Sequence, residues 1–271
     1  MYFELELKKN REKIKKITAG TKEWSDHSVN CVSGCNNDCR YCYAKKMAIR
    51  FGRKTEKTWK IMEIREKDVK KHFRKRDGRF MFPTSHDITG GSNVIEACLT
   101  TLKHILEPGN EVLITTKPRF DVVKRICEDF QKYKEQIQFR FTITSNDNKL
   151  LKFWEPNAPL YEERLKALKL AYEQEYKTSV SIEPFLNDPL FFIDELIPNV
   201  TESIWVGPMN YLTRNGFKSQ DLVYFNRIKE LNKPKNLLKM YFQLKNYKLI
   251  RFKDSFLIRL YNAGLLQEIK I

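Results

Sequence analysis

The sequence predicts an α/β fold built on parallel strands, for three reasons. Strand-like apolar runs alternate with segments of helical period along most of the chain. The 271 residues are 41% hydrophobic and 13% aromatic, enough to bury a sizeable core. No internal repeat, low-complexity linker or composition shift divides them. A single domain over 1–271 is therefore expected, with its core at about 27–211, an amino-terminal helix and a carboxyl-terminal helical and strand extension.

Taken in order, an amphipathic helix is expected at 7–17 and a first strand at 27–32. A loop carrying four cysteines follows, then a helix from Tyr43. Residues 53–76 are the richest in charge. Within them Lys67, Lys70, Lys71, Arg74, Lys75 and Arg76 are spaced for a helix with one basic face, either a phosphate contact or a solvated surface. Further strands are expected at 79–85, 111–117, 138–145, 177–184 and 202–209, six in all, with helices between them. Pro118 ends the strand before it because it has no amide to donate. Cys98 and Cys127 fall on the apolar faces of helical segments, where a free thiol behaves as a small hydrophobe. Repeated strand then helix implies parallel pairing through crossovers.

Lys and Arg number 50 against 34 Asp and Glu, a formal charge of +16. Such an excess favours a polyanion, chiefly nucleic acid (DNA or RNA) or an anionic membrane surface, through Coulomb attraction and counterion release; a lysine-rich solvated surface is the plain alternative. The opening MYFELELKKNREKIKK is charged where a signal peptide needs an apolar run, and no stretch reaches the roughly 20 apolar residues of a membrane span. A cytoplasmic protein with no membrane partner is expected. Six cysteines in that compartment point to thiolate or metal chemistry over disulfides.

Four of the six lie in NCVSGCNNDCRYCYA, at Cys31, Cys35, Cys39 and Cys42. The last three spell C-x3-C-x2-C. That spacing lets one loop fold around an iron–sulfur cube and place three thiolates on three irons, leaving the fourth iron open to an exogenous chelating ligand. Zinc held by all four cysteines is the structural alternative, although paired C-x2-C knuckles would be usual there. Cys31 has three readings, as a core thiol, a spare ligand or a catalytic thiol.

This loop, with Tyr41 just before Cys42, resembles the signature of the radical S-adenosylmethionine (SAM) superfamily. The resemblance implies a partial (β/α)6 TIM-like barrel, a 4Fe-4S cluster on Cys35, Cys39 and Cys42, SAM on the open iron, and the backbone of Tyr41 close to the adenine. In parallel α/β barrels the active site gathers at the carboxyl ends of the strands, which orders the remaining candidates. Ser85 and Asp87, in FMFPTSHDITGG, are candidates for the SAM ammonium, or else helix-capping and turn residues beside Gly90 and Gly91. His86 is a proton donor, a substrate contact or a hydrogen-bonded loop residue. Lys117 occupies a mouth position. Ser145 and Asn146 are candidates for the ribose hydroxyls or the methionine carboxylate. Arg164 pairs with that carboxylate or with Glu162 or Glu163 at the surface. Glu183, before Pro184, faces a ribose or substrate hydroxyl. Asn210 is a substrate candidate, and Trp205 reads as core.

The wider series of motifs, from the cysteine loop through MFPTSHD, ITTKP and SVSIEPF, is similar to the spore photoproduct lyase-like branch of that superfamily. Its namesake repairs a thymine dimer in DNA and uses a cysteine after the second strand as hydrogen donor. Here the stretch from Phe82 to Asp87 contains no cysteine, so the identical reaction is not implied. The expected function is reductive cleavage of SAM to a 5′-deoxyadenosyl radical acting on nucleic acid or a nucleotide, fed by a low-potential donor of the flavodoxin or ferredoxin type. Cys31, His86 and Asn210 are the candidate catalytic residues. A maturase of a peptide or protein is a rival reading, weakened by the lack of cysteine in 211–271. A non-catalytic zinc-stabilised nucleic-acid-binding module is another.

Overall fold

The run expected to form one first strand divides in two. In the computed structural model, which describes residues 20–212 and 218–266, β1 is His27–Ser28 and β2 is Val32–Ser33. The helix expected at 7–17 lies outside the described residues. β2 turns aside to pair antiparallel with β3, Glu63–Ile64, as a separate ribbon. β1 instead opens a parallel sheet whose strands follow chain order. After β1 come β4 (Arg79–Phe82), β5 (Glu111–Thr116), β6 (Ile137–Thr142), β7 (Lys177–Ile182), β8 (Ser203–Val206) and β9 (Ile250–Phe252).

The α/β expectation holds with seven parallel strands in place of six. β9, in the carboxyl-terminal extension and beyond the core limit expected at 211, pairs Ile204 with Ile250. Its three residues lie between Lys248 and Lys253, too short an apolar run to read as a strand. β1 and β9 are the two edges and do not pair with each other, so the sheet is not a closed barrel.

Ten helices are described: α1 (Tyr43–Arg50), α2 (Glu66–Val69), α3 (Ser92–Leu106), α4 (Phe120–Asp129), α5 (Asn148–Trp154), α6 (Tyr161–Glu173), α7 (Ile193–Leu196), α8 (Leu222–Leu231), α9 (Pro234–Leu244) and α10 (Asp254–Asn262). The basic helix expected within 53–76 is a correction: only the four residues of α2 are helical there. Long-range bonds override the local pattern. Arg76 N donates to Asn110 Oδ1 at 2.9 Å, and Asn110 Nδ2 donates to Arg74 O at 3.1 Å, drawing the chain out along the start of β5.

Alternation of side chains gives the sheet two unlike faces. On one, Ile114, Phe139, Phe141, Val180 and Ile182 are fully buried against Leu102 and Ile105 of α3, Ile126 of α4 and Leu168 of α6. Each such side chain contributes about 1.5–3 kcal/mol by leaving water. The other face is polar. Gln138 Nε2 and Arg140 Nε both donate to Ser179 Oγ, at 3.1 and 3.2 Å. The Arg140 guanidinium lies 4.5 Å from the ring of Trp24 and 5.5 Å from that of Trp205. Beside them, buried Lys253 pairs with Glu23 at 2.6 Å and stands 3.8 Å from Glu183. Among the described residues no helix is long and apolar enough to cross a membrane.

Candidate functional site

The cysteine loop is shaped by its own small residues. Gly34 has φ +93°, and a Cβ there would stand 2.5 Å from the Ile61 carbonyl oxygen and 2.6 Å from that of Trp59. Only glycine fits so close an approach of two backbones. Asp38 also takes a positive φ, which aspartate tolerates, and its carboxylate accepts from Lys45 Nζ at 3.0 Å. Cys42 caps α1, its Sγ accepting from Lys45 N at 3.4 Å. The positive end of the helix dipole therefore faces that sulfur. Across the loop, Arg40 N donates to Trp154 O at 2.9 Å and Asn157 Nδ2 to Asn36 O at 2.9 Å.

A cavity of about 270 Å³ opens beyond the carboxyl ends of β4, β5, β7 and β8. Cys35, Cys39, Cys42 and Tyr41 line one wall; Ser85, His86, Asp87 and Lys117 line the second; Glu183, Met209, Asn210 and Tyr211 line the third. Thus ten of the expected residues converge on one space, whereas Cys31, Ser145, Asn146 and Arg164 are not in its lining.

Burial pushes the three cavity thiols up, Cys35 to about 12, with the Asp87 charge adding to the effect at Cys35. Lys117 supplies a cation in the same wall. Burial alone would weaken its hold on a proton, but the sulfur of Cys39 and the carboxylates of Glu155 and Asp87 push its pKa up. Among the described residues two trios of ligating side chains bring their ligand atoms within 4.8 Å of one another, and the three cavity cysteines are not among them. Their wider spread suits a polynuclear cluster better than a single ion. Cys31 turns the other way, its Sγ 3.8 Å from Cys98 Sγ, so the four-thiolate zinc site is not assembled.

Two carboxylates hold the loop in place. Asp87 Oδ2 accepts from Asn37 Nδ2 at 2.8 Å and from Lys117 N at 2.9 Å; Oδ1 accepts from Ile88 N at 2.8 Å and from the Thr116 hydroxyl. With four donors its lone pairs are occupied, and it clamps the cysteine loop to the end of β5. Glu155, which sequence reasoning missed, is buried beneath the loop. It accepts from the Tyr41 hydroxyl, from Thr144 Oγ1 at 2.9 Å and from the Arg164 guanidinium, with Lys117 Nζ 4.0 Å away. Burial pushes its pKa up, but the positive charges of Arg164 and Lys117 outweigh burial and hold it below the ordinary carboxylate range. Its signal was the acid before Pro156, the pattern that also marked Glu183.

Three of the expected cofactor residues lie outside the cavity lining. Arg164 is neither a cavity residue nor a surface ion pair: it is fully buried, pairs with Glu155, and donates to Pro159 O at 2.8 Å and Thr142 O at 3.1 Å. Ser145 is fully buried and its Oγ accepts from Asp147 N at 2.9 Å. Asn146 donates to Phe191 O at 3.3 Å and accepts from Asn187 Nδ2 at 2.8 Å. Both order the turn into α5, because short polar side chains after a strand bond first to nearby backbone.

Of the remaining candidates, His86 accepts from Cys31 N through Nε2 at 3.2 Å and donates from Nδ1 to Asp87 O at 3.1 Å. Ser85 N donates to Asn30 Oδ1 at 2.7 Å, which sets the residue on the cavity wall. Burial raises the Glu183 pKa against the charge of Lys253. A Cβ at Gly207 would stand 2.7 Å from Lys253 Cγ, so glycine leaves room for that side chain. Asn210 accepts from Arg259 Nη2 at 3.1 Å and donates to Ser255 Oγ at 3.3 Å. At the mouth, Tyr43 and Tyr211 are 52% and 46% exposed with ring centroids 5.2 Å apart. Lys46 Nζ donates to Tyr211 O at 2.7 Å.

The sequence model of the radical SAM superfamily matches residues 29–187. Over 160 residues the chain is 28% identical to an uncharacterised protein of Methanocaldococcus jannaschii, covering 59% of this chain and 60% of that protein. Over 179 residues it is 25% identical to an uncharacterised protein of Acidianus two-tailed virus, covering 60% and 57%. The matched part thus spans about 60% of the length of these relatives. Among solved structures, a cysteine-to-serine variant of spore photoproduct lyase has a TM-score of 0.52 at 14% identity, over 79% of this chain and 64% of that one. A cysteine-to-alanine variant gives 0.50 at 16%, over 77% and 61%. At such identities the likeness speaks for the fold.

Proposed function

The chain belongs to the radical SAM superfamily, and on that premise we propose that it cleaves SAM reductively at a 4Fe-4S cluster held by Cys35, Cys39 and Cys42, with a nucleic acid or nucleotide as substrate. The observation that carries the reading is the convergence of those three thiols, without Cys31, on one wall of a cavity beyond the carboxyl strand ends. Those three cysteines would hold the cluster, which when bound would supply the one-electron reduction of SAM to methionine and a 5′-deoxyadenosyl radical, fed by a flavodoxin- or ferredoxin-type donor.

The protein's own residues bind, orient and exclude water. Lys117, a cation in the wall beside the cysteines, is the partner for the methionine carboxylate. Asp87 has its lone pairs engaged, so Ser85 and Glu183 serve as acceptors for the SAM ammonium and ribose hydroxyls. Tyr41, anchored through its hydroxyl to Glu155, holds the loop backbone beside the adenine position. Pro184, Pro208 and Met209 give the cavity an apolar side that excludes water from the radical. Asn210 faces substrate from the mouth, whereas both ring nitrogens of His86 are engaged, Nε2 with Cys31 N and Nδ1 with Asp87 O.

For the substrate, the support lies at that mouth. Tyr43 and Tyr211 present exposed ring faces beside Lys46, and α1 carries the pattern on to Phe51, with Arg50 and Arg53 each 5.8 Å from its ring. Aromatic platforms alternating with cations suit stacked bases and phosphates, in keeping with the net charge of +16. Anaerobic reconstitution tests the reading. About four iron and four sulfide per chain, with reductant-dependent SAM cleavage lost on changing all three cysteines to alanine, is the expected result. A product search by mass spectrometry with DNA, RNA and nucleotides tests the substrate. No iron bound through the three cavity cysteines and no cleavage would overturn the enzyme reading; a modified peptide alone would overturn the substrate.

A further inference from the structure

Behind the cavity wall, three ligating side chains meet in the apolar core. Cys31 comes from the loop between β1 and β2, His86 from the turn after β4 and Cys98 from α3, and their ligand atoms lie within 4.8 Å of one another. Both thiols are fully buried and His86 nearly so. We propose that Cys31, His86 and Cys98 form a second metal centre, a buried structural Zn²⁺ site distinct from the cysteines of the cavity.

The geometry is that of a site already gathered. Two zinc–sulfur bonds of about 2.3 Å at a tetrahedral angle separate the sulfurs by about 3.8 Å, and the two Sγ atoms stand 3.8 Å apart. The imidazole is oriented as zinc ligands usually are. Its Nδ1–H is held by the Asp87 carbonyl at 3.1 Å, which fixes the tautomer and leaves the Nε2 lone pair as the donor atom of the trio. An oxygen for the fourth position is at hand in the Ala97 carbonyl, 3.8 Å from Cys31 Sγ, which also accepts from Thr101 Oγ1 at 2.8 Å.

Charge balance favours the ion in so apolar a place. Binding replaces two thiol protons by one Zn²⁺, and two thiolates with a neutral imidazole make a neutral centre, whereas a lone buried thiolate would go uncompensated. The cost is the bond from Cys31 N to His86 Nε2, 3.2 Å long, and one neutral hydrogen bond is far weaker than a chelate of three ligands. The three ligands come from separate elements, so the ion would tie the entry of the cysteine loop to α3. This inference stands independently of the cluster reading.

The test uses the full-length chain with Cys35→Ser, Cys39→Ser and Cys42→Ser, so that metal held at the cavity is not scored. The reduced protein is stripped with chelator and titrated with Co²⁺, then Zn²⁺. The expected result is one Co²⁺ per chain with the thiolate charge-transfer and intense visible bands of tetrahedral cobalt, displaced by Zn²⁺. Adding Cys31→Ala or Cys98→Ala should abolish those bands. Zn²⁺ should raise the melting temperature of the parent and leave that of Cys98→Ala unchanged. On the unmutated reconstituted chain, elemental analysis should find one zinc beside the cluster iron. Three outcomes would overturn the site: folded protein that binds no cobalt, bands that survive Cys98→Ala, or a reduced preparation whose mass shows a Cys31–Cys98 disulfide.

Discussion

Replacing Glu155 by glutamine isolates the buried charge beneath the cysteine loop. The side chain keeps its size, but Oε1 accepts from Tyr41 and Thr144 while Oε2 accepts from Arg164. A glutamine that keeps its oxygen toward Tyr41 and Thr144 turns its NH₂ toward the Arg164 guanidinium, donor against donor. Arg164 is fully buried, so it cannot recover by hydration. Breaking a buried pair by neutralising one partner costs about 3–5 kcal/mol, a large share of the roughly 5–15 kcal/mol that holds a domain folded. Urea unfolding of the reduced, metal-free chain near neutral pH should show that loss as a lower midpoint at unchanged slope. The melting temperature should fall by about 10 °C. Replacing both partners, Glu155→Leu with Arg164→Met, should cost less than Glu155→Gln alone, because the buried guanidinium is removed with its partner. The pH dependence has a definite sign. A carboxylate held below its ordinary range stabilises the fold above that range, so the gap between wild type and Glu155→Gln should close as pH falls through its lowered pKa. A loss under about 1 kcal/mol, the scale of an exposed pair, would refute the burial reasoning.

Gly34→Ala forces a Cβ into two carbonyl oxygens at a positive φ; stability should drop by about 1–3 kcal/mol and iron uptake on reconstitution should fall, read by denaturation and iron assay. Lys117→Met should weaken SAM binding by about 10- to 100-fold, as expected for a charge-assisted contact, without loss of cluster iron; equilibrium dialysis would show it. Tyr43→Ala should weaken single-stranded nucleic-acid binding by about 5- to 100-fold, measured by fluorescence anisotropy. That affinity should also fall steeply with salt; salt-insensitive binding would count against nucleic acid.

By itself the sequence determined what depends on neighbours a few residues away. The C-x3-C-x2-C spacing, the helix starting at Tyr43 and the polar ends of β4, β5 and β7 are local facts, because a short loop, a helix cap and a strand stop are set by adjacent residues. Those ends are where the cavity residues Ser85, Asp87, Lys117 and Glu183 lie. Only the tertiary structure decided partners far apart in the chain. Tyr41 meets Glu155 across 114 residues, and Cys31 meets Cys98 across 67. Arg164 looked like a surface or cofactor residue because its helix shows acids beside it, yet it is buried with Glu155 as its counter-charge. Residues 70–76, which read as a basic helix, follow the buried amide of Asn110 instead. Spacing along the chain tells which groups can share a loop or a face; which of them lose water together, and so must pair, depends on how the sheet brings distant segments into contact.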